Sequence, residues 1–414
     1  MTATELGNLR RRLREQIQSG LDLSRDYTDA EVAERIDEVL LQEEELRLLG
    51  VGERRELRKE IFDSLRRLDI LQSFVEDRGV TEIMVNGKDR IFVEKDGRLR
   101  ELEKGFDSEE KLRDVIQQIV AGCNRVVNEA SPIVDARLPD GSRVNIVLAP
   151  VALNGPIVTI RRFPEKPITM ERLVAFGSLP ESVAALLRLL VKARYNIFIS
   201  GGTGSGKTTF LNAMSGFIES DERVITIEDS AELQLQGIRN LVRMETRNAG
   251  TDGSGEITMR DLIRSSLRMR PDRIIVGEVR GAEALDMLQC LNTGHDGSMS
   301  TGHANSAGDM LSRLENMVLM GSGELPLAAI RQQIASGLDL IVHLGRLRDR
   351  SRRVLEITEV TGYEDGEIRT QTLFRFAETG TRDGRVEGVL QREGSLQARE
   401  KLRLAGLPED LLDA

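Results

Sequence analysis

The chain has 414 residues, of which 40% are hydrophobic and 30% charged, a composition typical of a soluble globular protein with two or three domains. Its 58 basic and 68 acidic residues give a net charge of −10, which argues against a general nucleic-acid coat. No apolar stretch approaches the ~20 residues of a membrane-spanning helix, and we expect no secretory signal. The two cysteines form no CxxC pair, which excludes a zinc ribbon and favours a reducing compartment, the cytosol.

Residues 1–60 are predicted to form a charged helical extension. Residues 10–14 are basic, whereas residues 29–45 are acidic and carry apolar side chains at helical spacing. The charge pattern is typical of a solvated helical appendage. A docking arm for a partner, or for an anionic membrane face, is the alternative.

Residues 61–163 are predicted to form a small α+β domain. An amphipathic helix is expected over 68–75, and Ser108 is expected to cap a second helix that runs to about residue 120. Alternating apolar residues next to Asn-Gly, Asp-Gly and Pro-Asp-Gly turns predict strands. These strands cover residues 81–85, 90–94, 142–148 and 157–161, with turns at 86–87, 96–97 and 138–141.

Residues 164–180, with two prolines close together, are predicted to be a linker to a second domain over 181–380. In that domain helices alternate with short apolar strands, which predicts an α/β fold with a mostly parallel sheet. The strands are expected at 196–200, 224–227, 273–276 and 297–301, followed by edge strands at 338–344, 354–361 and 370–374. Residues 381–414 are predicted to be a polar tail with a last helix over 396–404.

The segment 201–208, GGTGSGKT, fits the phosphate-binding pattern G-x-x-x-x-G-K-[ST] between a strand and a helix. Glycines let backbone N–H groups curl around phosphates, and the helix N-terminus attracts the anion. Lys207 is expected to reach the β- and γ-phosphates, and Thr208 to ligate Mg²⁺. The predicted nucleotide-binding residues are Gly202, Thr203, Gly204, Ser205, Gly206, Lys207, Thr208 and Thr209.

Two acidic residues follow apolar strands. Glu278 comes after strand 273–276, as in a Walker B segment, and is predicted to hold the Mg²⁺ shell or orient water. Glu228, followed by Asp229, ends strand 224–227 and is predicted to activate or position the attacking water. The alternative for each acid is a helix cap or a surface ion pair.

His295 and His303 lie eight residues apart. Zinc binding is disfavoured because a strand is predicted between them and no cysteine or third histidine is near. A γ-phosphate sensor, or a structural link between nucleotide and sheet, fits better. His343 lies between apolar residues of a strand and is interpreted as structural.

Arginines form the last group, because a guanidinium neutralises the charge that phosphoryl transfer concentrates on the γ-oxygens. Delivery of such arginines from a second domain would make hydrolysis depend on domain closure, whereas a surface ion pair is the default interpretation of any one arginine. The candidates of the smaller domain are Arg137, Arg143, Arg161 and Arg162, and those around the Walker B strand are Arg268, Arg270 and Arg280.

In combination, these motifs resemble the ATPases of type II and type IV secretion machines, and most closely the CpaF-like (TadA-like) ATPases of tight-adherence (Tad) pili. The resemblance extends over roughly residues 60–380. It rests on residues 135–145, 159–163, 266–281, 286–305, 356–360 and 372–376, besides the phosphate-binding segment. The chain lacks the four-cysteine module that some type II secretion and pilus-extension ATPases carry.

The resemblance implies a RecA-like P-loop domain that binds ATP and Mg²⁺ and works as a homo-hexameric ring on the cytoplasmic face of the inner membrane. An integral-membrane platform protein would be its partner, the membrane association would be peripheral, and no nucleic acid is expected. Arg143 and Arg161, with Arg137, would reach the γ-phosphate. Glu228 would be the water-activating acid, Glu278 the Walker B acid and His303 a phosphate-responsive residue.

Three alternatives differ from a Tad motor. A conjugation-type (type IV secretion) ring ATPase shares the fold and the chemistry. A nucleic-acid translocase is disfavoured by the net charge of −10 and by the absence of aromatic residues interleaved with basic ones. A catalytically silent scaffold is disfavoured because Lys207, Glu228 and Glu278 are all present.

Overall fold

A computed structural model describes residues 3–21, 25–95, 97–123, 126–162, 167–247 and 255–409. The chain divides into two compact units, Met1–Glu165 and Lys166–Ala414. Each unit has its own hydrophobic core. Part of the predicted turn at 96–97 and part of the predicted linker lie outside the described residues.

The first unit begins with a small helical bundle. Its helices are α1 (Ala3–Ser19), α2 (Asp29–Gln42) and α3 (Val51–Arg66), with a 3-10 helix over Glu44–Leu48. Thr28 caps α2 and accepts a hydrogen bond from the backbone N–H of Glu31, whose carboxylate accepts from Thr28 in return. Residues such as Leu13, Ile36 and Ile61 are fully buried between the helices. The predicted solvated appendage is therefore a bundle with its own core, because its charged residues cover only the outer faces.

The rest of the first unit is an antiparallel sheet with helices against one face. The helices are α4 (Gln72–Glu76) and α5 (Glu109–Ala121). The strands are β1 (Val80–Asn86), β2 (Arg90–Lys95), β3 (Arg98–Glu101), β4 (Ile133–Arg137), β5 (Arg143–Val147) and β6 (Ile157–Arg161). Their order is β3-β2-β1-β6-β5-β4. Ser108 caps α5 as predicted, accepting from the backbone N–H of Lys111 at 3.1 Å.

Two strands of this sheet, β3 and β4, were not predicted. All four residues of β3 are exposed, so the strand lacks the alternation that indicates a buried face. Strand β4 has the pattern Ile-Val-Asp-Ala-Arg and alternates only weakly between apolar and polar residues. Both strands lie at the sheet edges, where sequence patterning is least constrained.

The second unit alternates strands and helices, which confirms the predicted α/β fold. Its helices are α6 (Met170–Ala175), α7 (Glu181–Lys192), α8 (Lys207–Ser215), α9 (Met259–Ser266), α10 (Glu283–Leu291), α11 (Ala307–Gly321), α12 (Leu327–Gly337) and α13 (Glu400–Leu404). Its strands are β7 (Ile197–Gly201), β8 (Arg223–Glu228), β9 (Asn240–Glu245), β10 (Arg273–Val276), β11 (Met299–Gly302), β12 (Leu340–Arg346), β13 (Arg352–Glu364), β14 (Glu367–Arg382) and β15 (Arg385–Arg392).

These nine strands form one sheet in the order β15-β14-β13-β12-β7-β11-β10-β8-β9. The strands from β12 to β9 pair in parallel, whereas β13, β14 and β15 are added antiparallel at one side. Helices cover both faces of the parallel part: Ile197 and Ile199 contact one core, and the intervening Phe198 contacts the other. A strand buried on both faces has a continuous apolar sequence, which is why β7, β8, β10 and β12 were predictable, whereas the partly exposed edge strand β9 was not predicted.

The second unit starts and ends beyond the domain limits expected from the sequence. Helix α6, with buried Met170 and Leu173, packs in the core although its residues fall within the predicted linker. At the other end, β15 pairs with β14, and Leu402 of α13 is fully buried. Only part of the predicted polar tail is therefore polar surface, because every second residue of β15 and one face of α13 pack inwards.

A buried ion pair anchors the amino ends of the parallel strands. Arg273, at the start of β10, is completely buried and donates two hydrogen bonds to Glu222, of 2.7 and 2.9 Å. Its remaining nitrogen lies 3.2 Å from the carbonyl oxygen of Gly297. One guanidinium therefore connects the residues that precede β8 and β11 to β10.

Arg273→Met should lower the free energy of unfolding by about 3–5 kcal/mol, because it leaves the buried Glu222 carboxylate without its main partner. The measurement is urea unfolding of the full chain. Arg369→Met, which removes an exposed pair with Asp365, is the control and should cost about 1 kcal/mol or less. Equal losses in the two variants would contradict an anchoring role for Arg273.

Candidate functional site

The parallel core of the second unit brings four separate sequence segments to one edge. Strands β8, β10, β11 and β7 are consecutive neighbours, and each has, at its carboxyl end or just after it, a residue or loop singled out from the sequence. These residues are Glu228, Glu278, His303 and the glycine loop 202–206. Ligands of open α/β sheets bind at this edge, because loops from adjacent strands converge there.

The loop after β7 has the geometry of a phosphate cradle. Gly204 and Gly206 adopt left-handed conformations, with φ of +71° and +96°, which other residues rarely accept. Ser205 Oγ donates to the carbonyl oxygen of Gly202 at 2.9 Å and closes the loop. Helix α8 starts at Lys207 directly after it, so the unpaired N–H groups of its first turn face the loop.

Lys207 is buried at the centre of the site. Its Nζ donates to the carbonyl oxygens of Gly201 and Gly202, at 3.1 and 3.2 Å. Burial lowers the pKa of Lys207, whereas the nearby Glu278 carboxylate opposes that shift. A lysine held by carbonyls of the loop itself is placed to bind an anion in the same cradle.

Glu278 and His303 lie in close contact beside Lys207. His303 Nε2 lies 2.8 Å from a Glu278 oxygen, and Lys207 Nζ lies 3.4 Å from both ring nitrogens of His303. The other Glu278 oxygen accepts from Arg280 at 2.7 Å. Burial and the positive charge of Lys207 lower the pKa of His303, so the ring is neutral near pH 7.

Glu228 is the deeply buried acid of the site. One carboxylate oxygen accepts from the backbone N–H groups of Glu232 and Leu233, at 2.6 and 2.8 Å. The other oxygen has no hydrogen-bond partner among the described residues. Burial raises the pKa of Glu228 to about 7. A Cβ on Gly277 would lie 2.8 Å from the Glu228 side chain, so the glycine makes room for this acid.

The oxygens near the loop fit a magnesium ion held together with phosphates. Thr208 offers a hydroxyl at the start of α8, and Glu278 offers a carboxylate at the end of β10. Mg²⁺ takes few protein ligands and fills its shell with water and phosphate oxygens. Accordingly, no group of three or more His, Cys, Asp or Glu able to hold a metal occurs within the described ranges.

The arginines expected to complete the site share one row of the first unit's sheet. Arg137, Arg143 and Arg161 lie directly opposite one another on β4, β5 and β6, so their side chains leave the same face. That face is opposite the one that buries Val144 and Ile160 against α5. Like charges in cross-strand positions repel one another. Arg162 instead donates to the backbone carbonyl of Asp77.

The other two histidines lie outside this site. His295 precedes β11 and contacts the carbonyl oxygen of Cys290, at the opposite end of the strand from His303. His343 is buried in β12 and lies 2.8 Å from Ser200 Oγ, a structural contact. The two spaced histidines are therefore separated by a strand, as predicted, and cannot share a metal.

The arginine-rich turn between β12 and β13 also lies beside the glycine loop and was not predicted from the sequence. A Cβ on Gly206 would lie 3.4 Å from Arg352 Cδ, and one on Gly201 would lie 2.5 Å from the Leu344 carbonyl oxygen. Strand β12 pairs in parallel with β7, so its carboxyl end reaches the glycine loop. The run of arginines after an apolar strand was the available signal, but its use required the strand order.

Within the described residues, none of the helices combines the length and apolar character needed to cross a membrane.

Residues 65–395 match the family model of the type II/IV secretion system protein. The conjugal transfer protein TrbB of Rhizobium radiobacter is 35% identical over 300 residues, which is 72% of this chain and 88% of TrbB. The type IV secretion system protein PtlH of Bordetella pertussis is 32% identical over 324 residues, covering 72% of this chain and 94% of PtlH. A putative conjugal transfer protein of Mycobacterium tuberculosis is 37% identical over 320 residues, which is 76% of this chain and 90% of that protein.

The fold is also similar to that of a solved structure, the ATPase DotB of Legionella pneumophila. The TM-score is 0.51 at 21% identity, over 73% of this chain and 81% of DotB. That likeness concerns the fold alone. The family match covers most of the chain and includes the glycine loop, Glu228, Glu278 and His303. The chain therefore belongs to the family of type II/IV secretion system proteins.

Proposed function

We propose that this protein is a Mg²⁺-dependent ATPase that drives a type II/IV secretion or pilus machine, and that its second unit is a RecA-like P-loop domain. One observation carries the proposal: Lys207 lies in a phosphate cradle, and His303 contacts both Lys207 and Glu278, which ends the neighbouring strand segment. A silent scaffold would not need a buried lysine whose pKa is influenced by a strand-end carboxylate, that of Glu278.

The reaction is hydrolysis of ATP to ADP and phosphate. The loop and Lys207 hold the β- and γ-phosphates, and Thr208 and Glu278 hold Mg²⁺, which neutralises charge on the phosphates. Glu228 takes a proton from the attacking water while the γ-phosphorus forms its bond to that water oxygen and loses its bond to ADP. The free Glu228 oxygen and a pKa of about 7 suit a general base at neutral pH.

His303 has a different role in this scheme. Its neutral ring contacts both Glu278 and Lys207, the two groups that a γ-phosphate and its metal would attract. A change at the phosphate therefore changes the partners of His303, which connects the site to β11. His303 is a phosphate-responsive residue rather than a proton donor, because its lowered pKa keeps it neutral.

Lys207→Ala should abolish nucleotide binding, because it removes the buried cation of the cradle. Glu278→Gln should keep binding within a few-fold of the native chain and reduce turnover by at least about 100-fold, since it removes charge at the metal and not the cradle. Calorimetric titration with MgADP measures binding, and the rate of phosphate release measures turnover. Glu364→Gln, an exposed acid on β13, is the control. Full turnover by Glu278→Gln would refute the role of Glu278.

Glu228→Gln should abolish turnover yet stabilise the nucleotide-free protein at alkaline pH. The folded pKa of about 7 exceeds the ordinary value of 4.5, so the native chain loses stability as pH rises through this interval. The free energy of unfolding of the variant should equal that of the native chain near pH 5 and exceed it by about 2–3 kcal/mol at pH 8. Urea unfolding at both pH values provides the measurement. A variant less stable than the native chain at pH 8 would show that Glu228 is not held protonated by burial.

We further propose that the chain forms a homo-hexameric ring in which Arg137, Arg143 and Arg161 complete the site at the γ-phosphate. Three arginines in one cross-strand row of the first unit support this, because they place three guanidinium groups on one face of the sheet. A site completed by a second unit, in the same or a neighbouring chain, would couple hydrolysis to domain movement.

Arg143→Ala should reduce turnover at least about ten-fold while MgADP binding stays unchanged, because an arginine that reaches the γ-phosphate acts on the transition state. Arg100→Ala, on β3 of the same sheet, is the control and should have no effect. Turnover per chain should rise with concentration as a six-subunit species appears by mass photometry. Turnover that is independent of concentration in a monomer would contradict the ring.

We propose a Tad pilus as the machine, with the motor acting at the cytoplasmic face of the membrane on an integral-membrane platform protein. The support is the motif resemblance, which includes residues 356–360 of β13 and 372–376 of β14. A conjugation-type machine is the second candidate, favoured by the similarity to TrbB and PtlH. The helical bundle before residue 65 lies outside the family match, so it is the part of the chain where partner choice would differ.

A further inference from the structure

A cavity of about 540 Å³ lies within the first unit, between the helical bundle and the edge strand β3 of the sheet. It is bounded by α1, α3, the residues that lead into α4, and the segment that continues from β3. Its lining contains six acidic and three basic residues, so the cavity carries a net negative charge. The acidic residues are Glu56, Glu60, Asp63, Asp69, Glu101 and Glu103.

The three basic residues of the lining are already engaged. Arg10 lies 3.5 Å from Glu60, and Lys104 lies 3.8 Å from the same carboxylate. Lys59 binds Glu76, an acid outside the lining, at 2.8 Å. Among the described residues, the cations of the cavity therefore pair with only one of its acids, Glu60.

Asp63 is a buried acid of this cavity whose carboxylate lacks a partner. Only 8% of the residue is exposed, and the carboxylate forms no hydrogen bond or ion pair with any residue that the structure describes. Burial raises the pKa of Asp63 to about 6, an effect that the charges of Lys59 and Arg67 oppose. Both of these cations are bound elsewhere, Lys59 to Glu76 and Arg67 to Asp29 at 2.7 Å. A buried charge of this kind is costly unless an opposite charge joins it.

The lining combines further acids with apolar surface. Glu56 of α3 and Glu103 after β3 also form no ion pair or hydrogen bond within the described part of the chain. The half-buried Ile70, Phe74 and Leu102 line the same cavity. Acidic groups and apolar surface together match a lysine or arginine side chain, which has an apolar stem and a cationic tip. An aromatic ring adds to such a site because cations are attracted to the ring face.

The size and position of the cavity favour a chain segment over a metal ion. A volume of about 540 Å³ is typical of a site for an organic ligand. No cluster of three or more His, Cys, Asp or Glu suited to a metal occurs in the residues that the structure describes. The bundle, which contributes Glu56 and Asp63, precedes the family match at residues 65–395. Surface outside the shared family region is suited to recognition of a particular partner.

We propose that this cavity receives a lysine or arginine side chain from a basic segment of a partner protein, with the cation at Asp63 and the stem against the apolar lining. The bound cation supplies the opposite charge that Asp63 lacks, and Glu56 and Glu103 attract the neighbouring basic residues of the segment. The inference goes beyond the proposed function and does not depend on ATP hydrolysis. It fits the integral-membrane partner proposed above, because the loops of such proteins on the cytoplasmic side are rich in lysine and arginine.

The test is calorimetric titration of the full chain, without nucleotide, with a peptide of lysines and leucines. Loss of a charge-assisted contact should weaken peptide binding by at least about ten-fold in Asp63→Asn. Glu34→Gln is the matched control, since it removes the same charge from an exposed acid of α2 in the same bundle, and it should bind as the native chain does. Thermal unfolding at pH 8 checks the fold: Asp63→Asn should unfold at an equal or higher temperature, because it removes a buried charge.

Glu103→Gln is a second variant, on the sheet side of the cavity, and should weaken peptide binding about three-fold, as expected for an exposed ion pair. Equal weakening in Asp63→Asn and Glu34→Gln would reduce the binding to attraction by the net charge of −10 and overturn the inference. Loss of the oligomer in Asp63→Asn, seen by mass photometry, would assign the cavity to a neighbouring copy and overturn it as well. Absence of peptide binding with ATP turnover retained would overturn the inference alone, whereas absence of turnover with peptide binding retained would overturn only the proposed function.

Discussion

The candidate site depends on the parallel, in-register pairing of β7, β11, β10 and β8. Residues about 100 positions apart in sequence meet because parallel strands all end at the same edge. The pairing places Gly302 beside Ser200, and Val276 beside both Ser300 and Ile227. Each residue that leaves these strands at the carboxyl side therefore lies next to the glycine loop or one strand away from it. No local motif alone would produce the contact between Glu278, His303 and Lys207.

The two edges of this sheet have different physical characters. At the amino edge, buried polar groups bind one another: Arg273 is bound to Glu222, and Asn196 accepts from the backbone N–H groups of Gly297 and Ser298. At the carboxyl edge, Lys207 contacts loop carbonyls and His303, and one oxygen of Glu228 and one of Glu278 lack a hydrogen-bond partner among the described residues. The paired groups at the amino edge stabilise the strands. The carboxyl edge can therefore hold charged groups in positions that suit ligand binding rather than stability.

The sequence predicted the parts of the fold that depend on local pattern. Strands β7, β8 and β10 are short apolar runs next to recognisable turns, and the glycine loop is a contiguous motif, so their residues could be named in advance. The N-terminal bundle shows the limit of such reasoning: Leu13, Ile36 and Ile61 are buried only because three charged helices pack together. Strand β9 is half exposed at an edge and has no local signal. The arginine turn was missed because its nearness to the loop follows from the pairing of β12 with β7, which is a long-range contact.

Hydrogen–deuterium exchange with and without a slowly hydrolysed ATP analogue and Mg²⁺ tests the central claim most directly. The claim is that one ligand contacts the carboxyl ends of β7, β8, β10 and β11 together. It predicts simultaneous protection of residues 201–209, 228–233, 277–280 and 302–304, with little change at the amino edge around Arg273 and Gly297. Protection confined to the glycine loop, or an unchanged pattern throughout, would contradict the account.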